Sequence, residues 1–169
     1  VSKMALSALS DELMRAEGMM MQDQNEEALE LLLRLAEDAE EYVDCNCQTT
    51  DELQYFAFPT LFDRLAYRRV ENDPRKLEDV HEPFDRLYGD LAMAYVRTGD
   101  YENAMNALKT AIRWNPMNCG FRLDLADLSE EFLFISGITI TAMVERMARV
   151  ARTIREASWA RFLLVDLVF

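Results

Sequence analysis

From Asp85 to Pro116 the chain reads DRLYGDLAMAYVRTGDYENAMNALKTAIRWNP, and this stretch decides the fold. Its apolar residues return at helical spacing: Tyr88, Leu91, Ala92 and Tyr95, then Ala104, Leu108 and Ala111. Gly99 suits the left-handed position just past a helix end, because it has no Cβ to clash there. Asp100 can then cap a second helix, with Glu102 in its first turn opposing the positive helix end. Asn115-Pro116 stops that helix, since proline brings no amide donor to continue it. The reading is a pair of antiparallel helices joined by a tight turn.

With Asp85 as first position, Tyr88, Leu91, Ala92, Tyr95, Ala104, Leu108, Ala111 and Pro116 fall at spacings that resemble the tetratricopeptide repeat, a helical hairpin of about 34 residues. The resemblance implies that Ala92 and Ala104 sit where the two helices cross closely, so that a larger side chain would overpack by about 1–3 kcal/mol. Ala111 would leave room for the following unit. Weaker copies flank the strong one. A unit beginning at Cys119 keeps Leu125 and Ala126, with Arg122 at a normally apolar position and Ser129 in place of an aromatic. Its first helix is expected over about Gly120 to Phe134 and its second over Thr139 to Arg152. Near the N-terminus, Ala16, Met19, Ala28 and Leu32 match four positions.

Outward from the repeat, Leu6, Leu9, Leu13 and Ala16 mark one helical stripe, and Ala28, Leu31, Leu32, Leu35 and Ala39 mark another. The polar run QDQNEE between them predicts a turn, with Asn25 as the cap of the second helix. After VDCNCQTTDE a further helix is expected from Thr50 or Asp51. It carries Phe56, Phe58, Phe62, Leu65 and Ala66, is interrupted by Pro59, and ends near Arg69. ENDPRKLEDVHEP, from Glu71 to Pro83, reads as linker because of its two prolines.

The expected architecture is therefore all-α: a right-handed superhelix of tetratricopeptide-like hairpins with about seven or eight helices in a single domain over 1–169. Its parts are a hairpin over 1–48, an irregular helical linker segment over 49–84, the repeat over 85–118, and a degenerate repeat with a C-terminal helix over 119–169.

Composition narrows the function. The 169 residues carry 18 Lys and Arg against 31 Asp and Glu, a net charge of −13. Nucleic-acid binding needs basic groups to displace phosphate counterions, so this chain is not expected to bind it. Residues 1–84 hold 8 basic and 20 acidic groups, and 85–169 hold 10 and 11. The most apolar run, Phe132 to Met143, is too short to span a bilayer and is interrupted by Gly137, so no membrane partner is expected. Three cysteines imply no disulfide framework and favour a reducing, cytoplasmic setting. The chain opens on Val1 rather than Met, as a processed or partial chain would.

Catalysis is not expected. His81 is the single histidine, and no Gly-rich phosphate loop or serine nucleophile elbow is present. Cys45 and Cys47 are separated by one residue, closer than structural zinc sites use, so no metal and no cofactor are expected. Met19, Met20 and Met21 read as gap-filling core and helix end rather than a binding surface. Arg146, Arg149, Arg152 and Arg155 precess around a helix as a solvated or internally paired face.

The resemblance implies a protein-interaction module whose first helices line a concave surface for a peptide or partner protein. The lining positions fall on Arg86, Gly89, Met93, Val96 and Arg97, and in the next unit on Leu123, Asp127 and Glu130. Arg86 and Arg97 would pair with a partner's carboxylates, Met93 would adapt to an apolar side chain, and Gly89 would open space. A family variant that grips a terminal carboxylate with Lys and Asn at two of these positions finds Gly89 and Met93 instead. The alternative is self-association. In SWARFLLVDLVF, Trp159, Phe162, Leu163, Val165 and Phe169 are apolar almost all round a helix, so a homo-oligomer through this end, or further chain beyond Phe169, would cover them.

Overall fold

A computed structural model describes residues 4–135, with side chains described over 8–129. The second helix of the degenerate repeat, the arginine series and the apolar C-terminal residues Trp159, Phe162, Leu163, Val165 and Phe169 lie outside the described residues.

Six helices and two short strands make up the described chain: α1 Met4–Met21, α2 Asn25–Asn46, β1 Leu53–Phe56, α3 Leu61–Glu71, β2 Lys76–Asp79, α4 Phe84–Thr98, α5 Tyr101–Trp114 and α6 Cys119–Ile135. The fold is mostly helical and tetratricopeptide-like. α1 and α2 form the first hairpin, α4 and α5 the second, and α6 packs on α5; α2 and α1 both pack on α4. The array is continuous in space although residues 47–83 separate its first two hairpins in sequence.

The second hairpin forms for the reasons its sequence gives. Gly99 ends α4 in the left-handed region at φ 82°, with its amide donating to the Val96 carbonyl and that of Asp100 to Tyr95. The Asp100 carboxylate accepts from the Asn103 amide at 3.2 Å and opens α5. Ala92 and Ala104 are 2% and 0% exposed, and Tyr88, Leu91, Leu108 and Ala111 are buried around them. Small residues at the crossing let the backbones approach, and larger neighbours fill the space on either side. In the first hairpin Leu13, Ala16, Ala28, Leu31, Leu32 and Ala39 are buried in the same core.

Two features depart from expectation. Asn25 is the first residue of α2, not its cap; Gln24 holds the cap position and makes no side-chain cap bond. The methionine triplet is core and helix end as read: Met20 is buried, and Met21, the last residue of α1, is 84% exposed.

The largest departure is the segment between the hairpins, which is not an irregular helical linker. No helix starts at Thr50 or Asp51. Leu53–Phe56 and Lys76–Asp79 pair as a parallel two-stranded sheet, Leu53 opposite Lys76 and Phe56 opposite Asp79, with α3 as the crossover. Parallel strands need a long connection, and α3 supplies it. Thr60 caps α3, accepting from the Asp63 amide at 3.2 Å. Phe56, Phe58, Tyr67 and Leu77 form a small separate core, with Phe56 and Phe58 stacked at 4.7 Å between ring centres. Arg75 clamps the unit, donating to both carboxylate oxygens of Asp73 and, at 2.9 Å, to Oε1 of Gln54. The guanidinium holds the Asp73 carboxyl well below the usual carboxylate range. The Ala57 amide donates to the Trp114 carbonyl at 2.9 Å and seats the insertion against the end of α5.

Candidate functional site

α1 and α4, the first helices of the two described hairpins, and α6 wall a cleft of about 640 Å³. Pro59 and Pro83, from the insertion and its exit, also line it. Of the positions expected to line a groove, Arg86, Gly89, Met93 and Arg97 all line this cleft. Their spacing on α4 explains why: each step is three or four residues, which keeps one helix face turned to the cleft.

Met93 is the apolar centre of that face and is 51% exposed. Gly89 does not open free space. A Cβ there would sit 2.8 Å from the ring of Phe121, so the glycine makes room for a side chain of α6. Phe121 and Asp124 face the cleft, whereas Leu123 and Asp127 are exposed on α6 outside its lining. Glu130 lies on α6 beyond the described side chains. Val96 is half-buried against the main core rather than in the cleft.

The two arginines are engaged within the chain. Arg86 donates through Nε and Nη2 to Oε1 of Glu17 on α1, at 2.8 and 2.6 Å. Arg97 donates through Nη1 to the Met20 carbonyl at 2.9 Å and lies 3.8 Å from the Asp23 carboxylate. Both therefore fasten the end of α1 to α4.

The acids of the cleft are less well matched. Asp85 is buried, but its Oδ2 accepts from Nδ2 of Asn115 at 2.8 Å and its Oδ1 from the Arg86 amide. Burial still pushes its pKa up, partly offset by those bonds. Asp90 stands 3.9 Å from Nε of Arg86, too far to hydrogen-bond, and its Oδ2 is shielded from solvent with no hydrogen-bond partner. Burial, then the negative charge of Glu17, push Asp90 up to about 7 despite Arg86. Glu17 takes the cation, and Asp90 is left without a partner. Asp124 on α6 is exposed and also raised, by burial and by Asp127.

Glu17, Asp90, Phe121 and Asp124 were not among the expected positions. Asp90 was within reach of sequence reasoning, since it lies four residues after Arg86 on the same helical face. The others depend on how α1 and α6 pack on α4, which local spacing does not encode.

Residues 85–118 match the family described as Tetratricopeptide repeat. This segment is similar to a tetratricopeptide repeat. It comprises α4, the turn at Gly99, α5 and the Asn115-Pro116 stop, so the cleft is built on the first helix of the matched unit. No curated protein and no solved structure matches the chain. His81, expected at the surface, is exposed at φ 58°; Cys45 is exposed, Cys47 buried and Cys119 half-buried. Among the described residues no helix is long and apolar enough to cross a membrane.

Proposed function

We propose that this chain is a non-catalytic interaction module that receives a peptide or a segment of a partner protein in the cleft between α1, α4 and α6. One observation carries the reading: a cleft lies between α1, α4 and α6, and an apolar side chain that lines it, Met93, is half exposed. Burying apolar surface of that kind against a ligand is favourable by about 25 cal/mol per Å². The tetratricopeptide repeat supports the same reading, because its hairpins serve protein–protein contact.

The test is substitution of that side chain. Peptides selected from a random library against the full chain are titrated onto the wild type and onto Met93→Trp, whose ring would fill the space. The expected result is at least a tenfold change in Kd. An unchanged Kd for every selected peptide would place the contact elsewhere and end the proposal.

A further inference from the structure

We propose that the occupant of the cleft is basic: a peptide segment that inserts a Lys or Arg side chain, set between apolar residues, toward Asp90 and Asp124. This rests on the docking reading above and adds the chemistry of the ligand.

The charges of the cleft decide its sign. Its cations are already used, Arg86 by Glu17 and Arg97 by the Met20 carbonyl, so neither is free to recognise a partner's carboxylate. Among its acids, Glu17 and Asp85 are satisfied within the chain. Asp90 is left with a desolvated oxygen that no donor reaches, and Asp124 faces the cleft beside a second carboxylate, Asp127. An incoming ammonium or guanidinium supplies what Asp90 lacks, a charge-assisted donor in a partly water-free setting. An acidic side chain would meet the same two carboxylates and be repelled.

The walls suit that ligand as well. Met21, Met93, Phe121, Pro59 and Pro83 offer apolar surface for the methylene stem of Lys or Arg and for its apolar neighbours. At longer range the net charge of −13 steers a basic segment toward the chain and an acidic one away.

The experiment uses the full chain and a phage-displayed random dodecapeptide library, with selected sequences synthesised and titrated by fluorescence anisotropy. The expected winners carry Lys or Arg between apolar residues. Changing that basic residue to Gln in the peptide weakens binding at least tenfold, without touching the fold of the protein. Asp124→Asn weakens it severalfold. Winners that are neutral or acidic, yet respond to Met93→Trp, would overturn the basic ligand and leave the docking reading standing. Winners indifferent to Met93→Trp would overturn both, and so would a library that yields no binder.

Discussion

Nη2 of Arg86 lies 2.6 Å from Oε1 of Glu17, 69 positions earlier in the chain, and this bond joins α4 to α1 in the wall of the cleft. Both side chains are a little over a third exposed, so as an ion pair alone the contact contributes at most about 1 kcal/mol. Its removal has a further effect, because Glu17 and Asp90 then face each other without a cation. Arg86→Met is expected to lower stability by about 1–2 kcal/mol in urea unfolding. Adding Glu17→Gln should recover part of the loss by removing one of the two like charges. A double variant no more stable than Arg86→Met would show that the carboxylates do not repel.

Ala104 is fully buried and Ala92 nearly so, at the crossing of α4 and α5. Ala104→Leu adds three carbons where the two helices leave no room. The expected cost is about 1–3 kcal/mol or more, seen as an earlier urea midpoint with little change in slope. Lys109→Ala, on the exposed side of the same helix, should stay within about 0.5 kcal/mol of wild type. Equal behaviour of the two variants would remove Ala104 from the packing contact.

The hairpins were legible in the sequence because each relies on local signals that act within a few residues. Gly99 followed by Asp100 marks the turn, and Asn115-Pro116 marks the stop; Leu13, Ala16, Ala28 and Leu32 keep the 3.6-residue period. The strands were not legible. β1 and β2 are four residues each, and each has a single buried residue, Phe56 and Leu77, too few to set up an alternation of period two. What holds them is long-range: the pairing of Gln54 with Leu77, the Arg75 bond to Gln54, and the bond from Nη2 of Arg64 to the Leu77 carbonyl at 2.6 Å. The same division runs through the cleft. The positions on α4 follow from helical spacing, whereas the pairing of Arg86 with Glu17 and the turn of Phe121 toward Gly89 follow from how helices dock. Arg86 therefore lines the cleft, as helical spacing on α4 implies, and within the chain it bonds Glu17 of α1.

Gly89 and Phe121 offer a test of that docking. Alanine is a better helix former than glycine by about 1 kcal/mol, so Gly89→Ala would stabilise an isolated α4. Here the added Cβ meets the Phe121 ring at 2.8 Å, and the ring must shift. The single variant is expected to be destabilised by about 1 kcal/mol. In a Phe121→Ala background the same change should become stabilising, and the double-mutant cycle reads the sign reversal directly. If Gly89→Ala is equally stabilising in both backgrounds, Phe121 does not pack on the glycine.

Asp90 links stability and binding to pH. Its native pKa is raised to about 7, while the unfolded chain leaves it near the usual carboxylate value of about 4. The native state thus holds the proton to a higher pH, and folding takes up a proton between those two values. Stability from this group is complete below about pH 4 and is lost as pH rises through about 7. Asp90→Asn cannot ionise, so it should match wild type near pH 4, gain on it as pH rises, and level off above pH 7 by on the order of 2–4 kcal/mol. Glu17 from α1, Asp85, Arg86 and Arg97 from α4, and Asp124 from α6 also charge this cleft, and taking the difference between the two proteins isolates Asp90 from them. Urea unfolding at pH 4.5, 6 and 8 measures the gap; a gap independent of pH would place the titration elsewhere. A basic peptide competes with the same proton, so its Kd should tighten severalfold from pH 6 to pH 8 on the wild type and much less on Asp90→Asn. Identical pH profiles for the two proteins would mean that the bound cation does not approach Asp90.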